Sequence, residues 1–361
     1  MPTPWQRDLG RDRERLAPWL AARIPDATEL RLSELRAPQN SGFSNDTLLF
    51  EASFARAGRT HHEALVARIQ PTGFQIFPEY DMALQFRVLE LLAGTDVPVP
   101  RARWLEDRDA SVLGAPFYVM EQVQGRVPPD NPPYHVTGWV TEIAPEERAA
   151  LWWGGIECIA KIHRLDWRAA GFGFLDRPDR GKTALDQQLA YYADYLRWAA
   201  DGREQPTAEA AFAWLAKHRP TGERTVLSWG DARIGNILFQ GTKPVAVLDW
   251  EMVGLGSPEM DLAWQLFLDE HHSSGIGQPR LAGFPSVEES VDRYQQLTGF
   301  PIRHLHYYQV FAGFRFAVVM MRIAQQCLQY GVMDEATSRG FERNNTVTRL
   351  LARLLDLPEP C

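Results

Sequence analysis

The period of the apolar positions changes about a third of the way along the chain. "WQRDLGRDRERLAPWLAARI" repeats at helical spacing, and "ATELRLSELRA" follows as a first strand. "PQNSGFSNDT" gathers Gly, Ser, Asn and Asp into a turn, after which "LLFEASF" and "EALVARIQ" read as second and third strands. "PEYDMALQFRVLELLAG" opens on Pro and closes on Gly, as helices do, and "RARWLED" and "APFYVMEQV" are two more strands. "QGRVPPDNPP" then breaks all regularity. Beyond it helical patterns dominate, over 145–165, 185–200, 208–217, 258–270, 287–298, 304–330 and 335–355. The strand candidates there are "NILFQ" and "PVAVLDW", a hairpin joined at 241–243. Strands grouped first and helices grouped after predict an α+β fold. A sheet-rich lobe with a leading helix spans 1–123, and a helical lobe spans 124–361.

Composition narrows the function classes. The 361 residues suit one large domain or two lobes, and 45% hydrophobic with 23% charged residues is ordinary for a globular protein. A net charge of -8 argues against nucleic acid as a partner, which wants a basic face. Cys158, Cys327 and Cys361 form no CxxC, which excludes a disulfide framework and suits a reducing cytosol. The charged N-terminus has no apolar signal-peptide core, and "FAGFRFAVVMMRIA" carries two arginines and is too short to span a bilayer. The expectation is a cytoplasmic protein with no membrane partner.

The chemistry concentrates in "LSWGDARIGNILF". Asp231 and Asn236 stand at the spacing of a kinase catalytic loop, where the Asp handles the acceptor hydroxyl and the Asn holds magnesium. The hairpin that follows returns the chain to Asp249, at the end of the apolar run "VAVL". Asn236 and Asp249, at the two ends of one hairpin, can therefore meet at one metal. Arg233 can direct a guanidinium at the γ-phosphate, a good bidentate match. An isolated Asp–Asn pair at this spacing is worth little, because both residues are common in turns. The combination with the hairpin carries the weight.

"LSWGDARIGNILF…VAVLDWEMVGLGSPEMDLAW" resembles the aminoglycoside phosphotransferase/choline kinase-like family, and within it the kinase-like domains fused to some acyl-CoA dehydrogenases. The resemblance runs from about Ser33 to Arg322 and implies a two-lobed protein-kinase-like fold using ATP and Mg2+. It implies Asp231 as catalytic base, Asn236 and Asp249 as magnesium ligands, and Asp261 as a structural acid bonding the catalytic-loop backbone. Where such loops carry a His, this chain has Trp229, which can fill the space and offer one indole N–H. "NSGFSND" falls where kinases place a loop over the nucleotide phosphates, giving Ser41, Gly42, Phe43 and Ser44 as contacts, though a plain turn reads as well. Arg68 replaces the usual third-strand Lys, with Gln85 or Asp81 as its partner. "GAPFYVMEQV" resembles the hinge strand, so backbone groups of Glu121 and Val123 would meet the adenine.

Other patterns lead elsewhere. "GKT" at 181–183 lacks the upstream Gly of a P-loop, and "HHEALVA" lacks the second His of a zinc helix. "DEHHSSG" reads as a solvated helix end and His163 as a packed core residue. The acceptor is expected to be a hydroxylated small molecule, aminoglycoside-like or another metabolite; a hydroxyacyl-CoA kinase and a silent pseudokinase are the alternatives. Arg315 and Arg322 share one face of an apolar helix, so each needs a partner, either an acid such as Glu259 or Asp261 or an anionic substrate.

Overall fold

Strand β2 (Asp46–Arg56) buries Leu48, Phe50, Ala52 and Phe54 at every second position and so presents one apolar face. It turns into β3 (Arg59–Ile69) through Ala57 and Gly58, both at positive φ (51° and 72°), as a two-residue hairpin turn with the native twist requires. In the computed structural model, which describes residues 7–38 and 45–361, these strands anchor a five-stranded antiparallel sheet. Its order is β1 (Thr28–Leu32), β2, β3, β5 (Phe117–Glu121), β4 (Ala102–Glu106). Helix α1 (Leu9–Ala21), capped by the Asp8 side chain, lays Leu16, Trp19 and Leu20 into the same core. The Trp19 indole N–H donates to Glu106 at 2.7 Å, so the one polar atom of that ring is satisfied. Helix α2 (Met82–Leu92) starts at Asp81, whose carboxylate accepts from the Leu84 N–H at 2.7 Å.

By its contacts the chain divides into a unit of 1–94 with 99–124 and a unit of 95–98 with 125–361. The second holds α3 (Trp139–Glu142), α4 (Pro145–Arg164), α5 (Ala184–Ala200), α6 (Pro206–Lys217), α7 (Pro258–His271), α8 (Val287–Thr298), α9 (Leu305–Gln329), α10 (Glu335–Arg343) and α11 (Thr346–Leu354). The expected hairpin is β7 (Ile237–Gln240) with β8 (Lys243–Val247). Two further strands were not legible: β6 (Val226–Ser228) pairs with β9 (Gly254–Gly256), and three residues are too few for a periodic signal. The single helix expected over 335–355 is two. Asn345 accepts from the Val347 and Thr348 N–H groups at 2.9 and 3.1 Å and so restarts the helix. Among the described residues no helix is long and apolar enough to cross a membrane.

Candidate active site

The loop between β6 and β7 is shaped by Asp261 in the first turn of α7. This fully buried carboxylate accepts from the Trp229 N–H (2.7 Å), the Gly230 N–H (3.0 Å), the Ser228 hydroxyl (2.7 Å) and His163 Nε2 (3.0 Å). Burial alone would raise its pKa, but the His163, Ser228 and backbone hydrogen bonds hold it below the usual aspartate range. His163 is a packed core residue as expected, and it is also bonded to Tyr294 through Nδ1 at 2.7 Å. Gly230 is obligatory here: φ is +92°, and a Cβ would stand 2.0 Å from the Met252 carbonyl oxygen. Trp229 is fully buried, and its indole N–H donates to the Leu248 carbonyl at 2.8 Å. It thus ties the loop to the strand that delivers Asp249.

Asp231 is 9% exposed and its carboxylate is held from three directions. The Trp264 indole N–H donates to Oδ1 at 2.7 Å, Asn236 Nδ2 to Oδ2 at 2.6 Å, and Arg233 Nε to both oxygens at 3.1 and 3.2 Å. Asn236 closes a 3-10 turn (Ile234–Asn236), and Leu248 N–H donates to its carbonyl at 2.9 Å while Ile237 pairs with Val247. The hairpin therefore brings Asn236 and Asp249 to the same end. Asp249 holds a left-handed backbone (φ 60°), which Asp tolerates better than most residues and which is common at functional positions.

Two contributors escaped the sequence reading. Trp264 is one of many aromatics at helical spacing. Asp130 lies in the proline-rich break and carries no motif, yet it accepts from Arg233 Nη1. Its Oδ1 is buried without a partner and lies 2.6 Å from where a Cβ would stand on Gly235, so that glycine makes room for the pair. Burial works against the Arg233 charge, but Asp130, Asp231 and Asp249 raise its pKa above the ordinary value. Burial also opposes the Asp130 charge, and Arg233 and His272 pull its pKa down.

In the sheet unit Arg68 donates to the Thr47 hydroxyl at 3.3 Å. Neither expected partner meets it: Asp81 caps α2, and the buried Gln85 lies 3.5 Å from the Tyr118 hydroxyl. Glu121 donates its N–H to Arg101 and accepts from Arg103 Nη1 at 2.9 Å, whereas the Val123 backbone makes no hydrogen bond among the described residues. Ser41, Gly42, Phe43 and Ser44 lie outside the described residues. The 269–275 segment, expected to be solvated, is largely buried at its start. Asp269 is 4% exposed and accepts from Tyr134 (2.7 Å), His135 (2.9 Å) and Arg280 (2.5 Å). The expected pairing of Arg315 with Glu259 or Asp261 is not made. Glu259 accepts from Ser257 and the Arg303 N–H, and Asp261 is saturated by the loop. Arg322 instead lies 3.9 Å over the Trp198 ring and donates to Gln325 at 2.5 Å.

A sequence model of the phosphotransferase enzyme family matches residues 36–293. The chain belongs to that family. Members of this kind carry a kinase-like fold, and this phosphotransferase is similar over 94% of its length to the crystal structure of a putative aminoglycoside phosphotransferase from Ralstonia eutropha. That likeness covers 95% of the Ralstonia chain, with 27% identity and a TM-score of 0.65. It shares its fold with a thermostable mutant of the aminoglycoside phosphotransferase APH(4)-Ia in ternary complex with AMP-PNP and hygromycin B. The identity there is 15%, the TM-score 0.51, and the coverage 93% of this chain and 98% of that one. Acyl-CoA dehydrogenase family member 10 of Mus musculus is 29% identical over 80% of this chain, which spans 27% of that longer protein.

Proposed function

We propose that this phosphotransferase moves the γ-phosphate of ATP, with magnesium, onto a hydroxyl of a small molecule. The observation that carries the reading is the convergence of Asp231, Asn236 and Asp249 through one loop and one hairpin, with Asp231 held by three donors. In this reading Asp231 accepts or orients the acceptor hydroxyl proton. Arg233 lies two residues away, ready to share its guanidinium with a phosphate oxygen. Asn236 and Asp249 are the magnesium ligands.

The donor set suits that ion. Both side chains offer hard oxygen atoms, and magnesium takes few protein ligands and completes its shell from phosphate and water. Among the described residues no group of three or more His, Cys, Asp or Glu side chains could enclose a metal by itself. When bound, the ion would neutralise charge on the phosphates. To the sheet unit the same reading gives Arg68 as a phosphate contact, the backbone of Glu121 and Val123 as adenine contacts, and Ser41, Gly42, Phe43 and Ser44 as the phosphate loop. The unbonded Val123 backbone supports its part.

A second reading, a hydroxyacyl-CoA as acceptor, is favoured by one observation: the relative of 29% identity is named an acyl-CoA dehydrogenase family member. A silent binding module is disfavoured by the retained Asp231, Asn236 and Asp249. The test is a thermal shift with Mg·ATP, followed by ADP formation in the presence of aminoglycosides and of hydroxyacyl-CoAs. Stabilisation by Mg·ATP and acceptor-stimulated ADP formation are expected. Stabilisation without turnover by any acceptor or water would favour the binding module, and the absence of both effects would overturn the reading.

A further inference from the structure

Arg315, in the middle of α9, is 1% exposed, and among the described residues its guanidinium meets no carboxylate. Its guanidinium lies over three rings, 4.5 Å from the centroid of Trp264, 5.1 Å from Tyr192 and 5.8 Å from Phe311. Nη2 donates to the Gly230 carbonyl at 2.9 Å, Nε and Nη1 are buried without a well-formed hydrogen bond, and the Tyr192 hydroxyl lies close enough that the guanidinium opposes the rise burial gives its pKa. Aromatic faces and one carbonyl recover only part of the cost of burying this charge, and an apolar side chain of similar volume would serve packing alone better.

The contacts show where that cost is returned. The Gly230 carbonyl belongs to the peptide bond that joins Gly230 to Asp231, so Arg315 fixes the plane from which Asp231 departs. The preceding peptide is fixed by Asp261 through the Gly230 N–H. The ring nearest the guanidinium is Trp264, the same indole that donates to Asp231 Oδ1 at 2.7 Å. We propose that Arg315 is a positioning residue for Asp231, setting its backbone through the Gly230 carbonyl and its side chain through the Trp264 indole. The proposal rests on the reading of Asp231 as the acceptor-side base.

The test uses the full chain and Mg·ATP with water as acceptor, following γ-phosphate release. Arg315→Met is expected to lower kcat by about 10²-fold, the scale of a small misplacement of a reacting group, with KM for ATP within about twofold. Arg315→Lys, which keeps the charge, should restore at least about tenfold of that loss. Because Arg315 acts partly through Trp264, the double variant Arg315→Met, Trp264→Phe should fall clearly short of the product of the two single losses. A folded Arg315→Met enzyme within about threefold of wild-type kcat, or fully multiplicative losses, would overturn the proposal. Should Arg315→Met fail to fold, Arg315→Leu, which likewise removes every donor to the carbonyl, takes its place under the same criteria.

A second readout needs no turnover. In protein labelled with 15N-tryptophan, the indole resonance missing from Trp264→Phe identifies Trp264. Its protection from solvent exchange should be lost in Arg315→Met, or in its Leu replacement, and kept in Arg315→Lys; unchanged protection would overturn the proposal. A wild-type protein that releases no phosphate counts against the kinase reading, and the exchange measurement then decides on Arg315 separately.

Discussion

Arg233 joins Asp130 to Asp231. Its Nη1 donates to Asp130, while its Nε donates to the two Asp231 oxygens at 3.1 and 3.2 Å. A residue from the proline-rich break thereby reaches the loop that carries Asp231. The two ends of the ion pair are 19% and 38% exposed, so its contribution to stability is expected to be modest, about 1 kcal/mol or less. Its effect should appear in geometry. Asp130→Ala is expected to lower kcat for γ-phosphate release by about tenfold while shifting the melting temperature only slightly. Steady-state kinetics and a thermal melt check this, and a large fall in stability with turnover untouched would assign Asp130 to folding.

Trp229 occupies the place where related loops carry His, and its single polar atom is spent on the Leu248 carbonyl. Its ring is fully buried. Trp229→His should keep turnover and cost about 2–4 kcal/mol of stability, as a smaller ring leaves a cavity. A stable, folded and inactive Trp229→His protein would show a direct role for the indole.

The site should also sense acid through His271. Burial holds this imidazole neutral, with the neighbouring His272 adding to the effect and Asp130 opposing it, so that its pKa falls to about 3. Burial shifts His272 in the same direction. Below the ordinary value of about 6.5, an unfolded chain takes up protons that the folded one refuses. The stability these groups give is therefore complete above pH 6.5 and is lost as the pH falls through that value toward 3. Each such group costs up to about 1.4 kcal/mol per pH unit. His271→Phe keeps a ring against Phe316, 5.1 Å away in the native pair, and should remove one group's share of the slope. Urea midpoints at about pH 7.5 and pH 5 for both proteins measure it, and equal slopes would contradict the assignment.

How much of this was legible depended on whether the signal was local. The β2–β3 hairpin and α2 declare themselves by period and by end residues, and the hairpin that separates Asn236 from Asp249 by its two short apolar runs. The strands β6 and β9 are too short to show a period, and Asn345 restarts a helix by capping where the apolar pattern runs on. Asp130 reaches Arg233 from 103 residues before it and Trp264 reaches Asp231 from 33 after it, by tertiary packing alone. The apolar helix around Arg315 marks it as a buried cation, for which the sequence suggests an acid or an anionic substrate as partner. The structure supplied a backbone carbonyl and three aromatic rings, which no one-dimensional pattern distinguishes from core.

In the proposed mechanism Asp231 directs phosphoryl transfer while Asn236 and Asp249 serve the metal and its nucleotide. The most direct measurement is γ-phosphate release from Mg·ATP by wild type and Asp231→Asn, together with calorimetric binding of the same nucleotide to both and to Asp249→Ala. Under that mechanism Asp231→Asn is expected to lose at least about 10²-fold in kcat while binding Mg·ATP as wild type does, and Asp249→Ala to lose magnesium-dependent binding. Release at the wild-type rate by Asp231→Asn, with nucleotide binding intact, would contradict it.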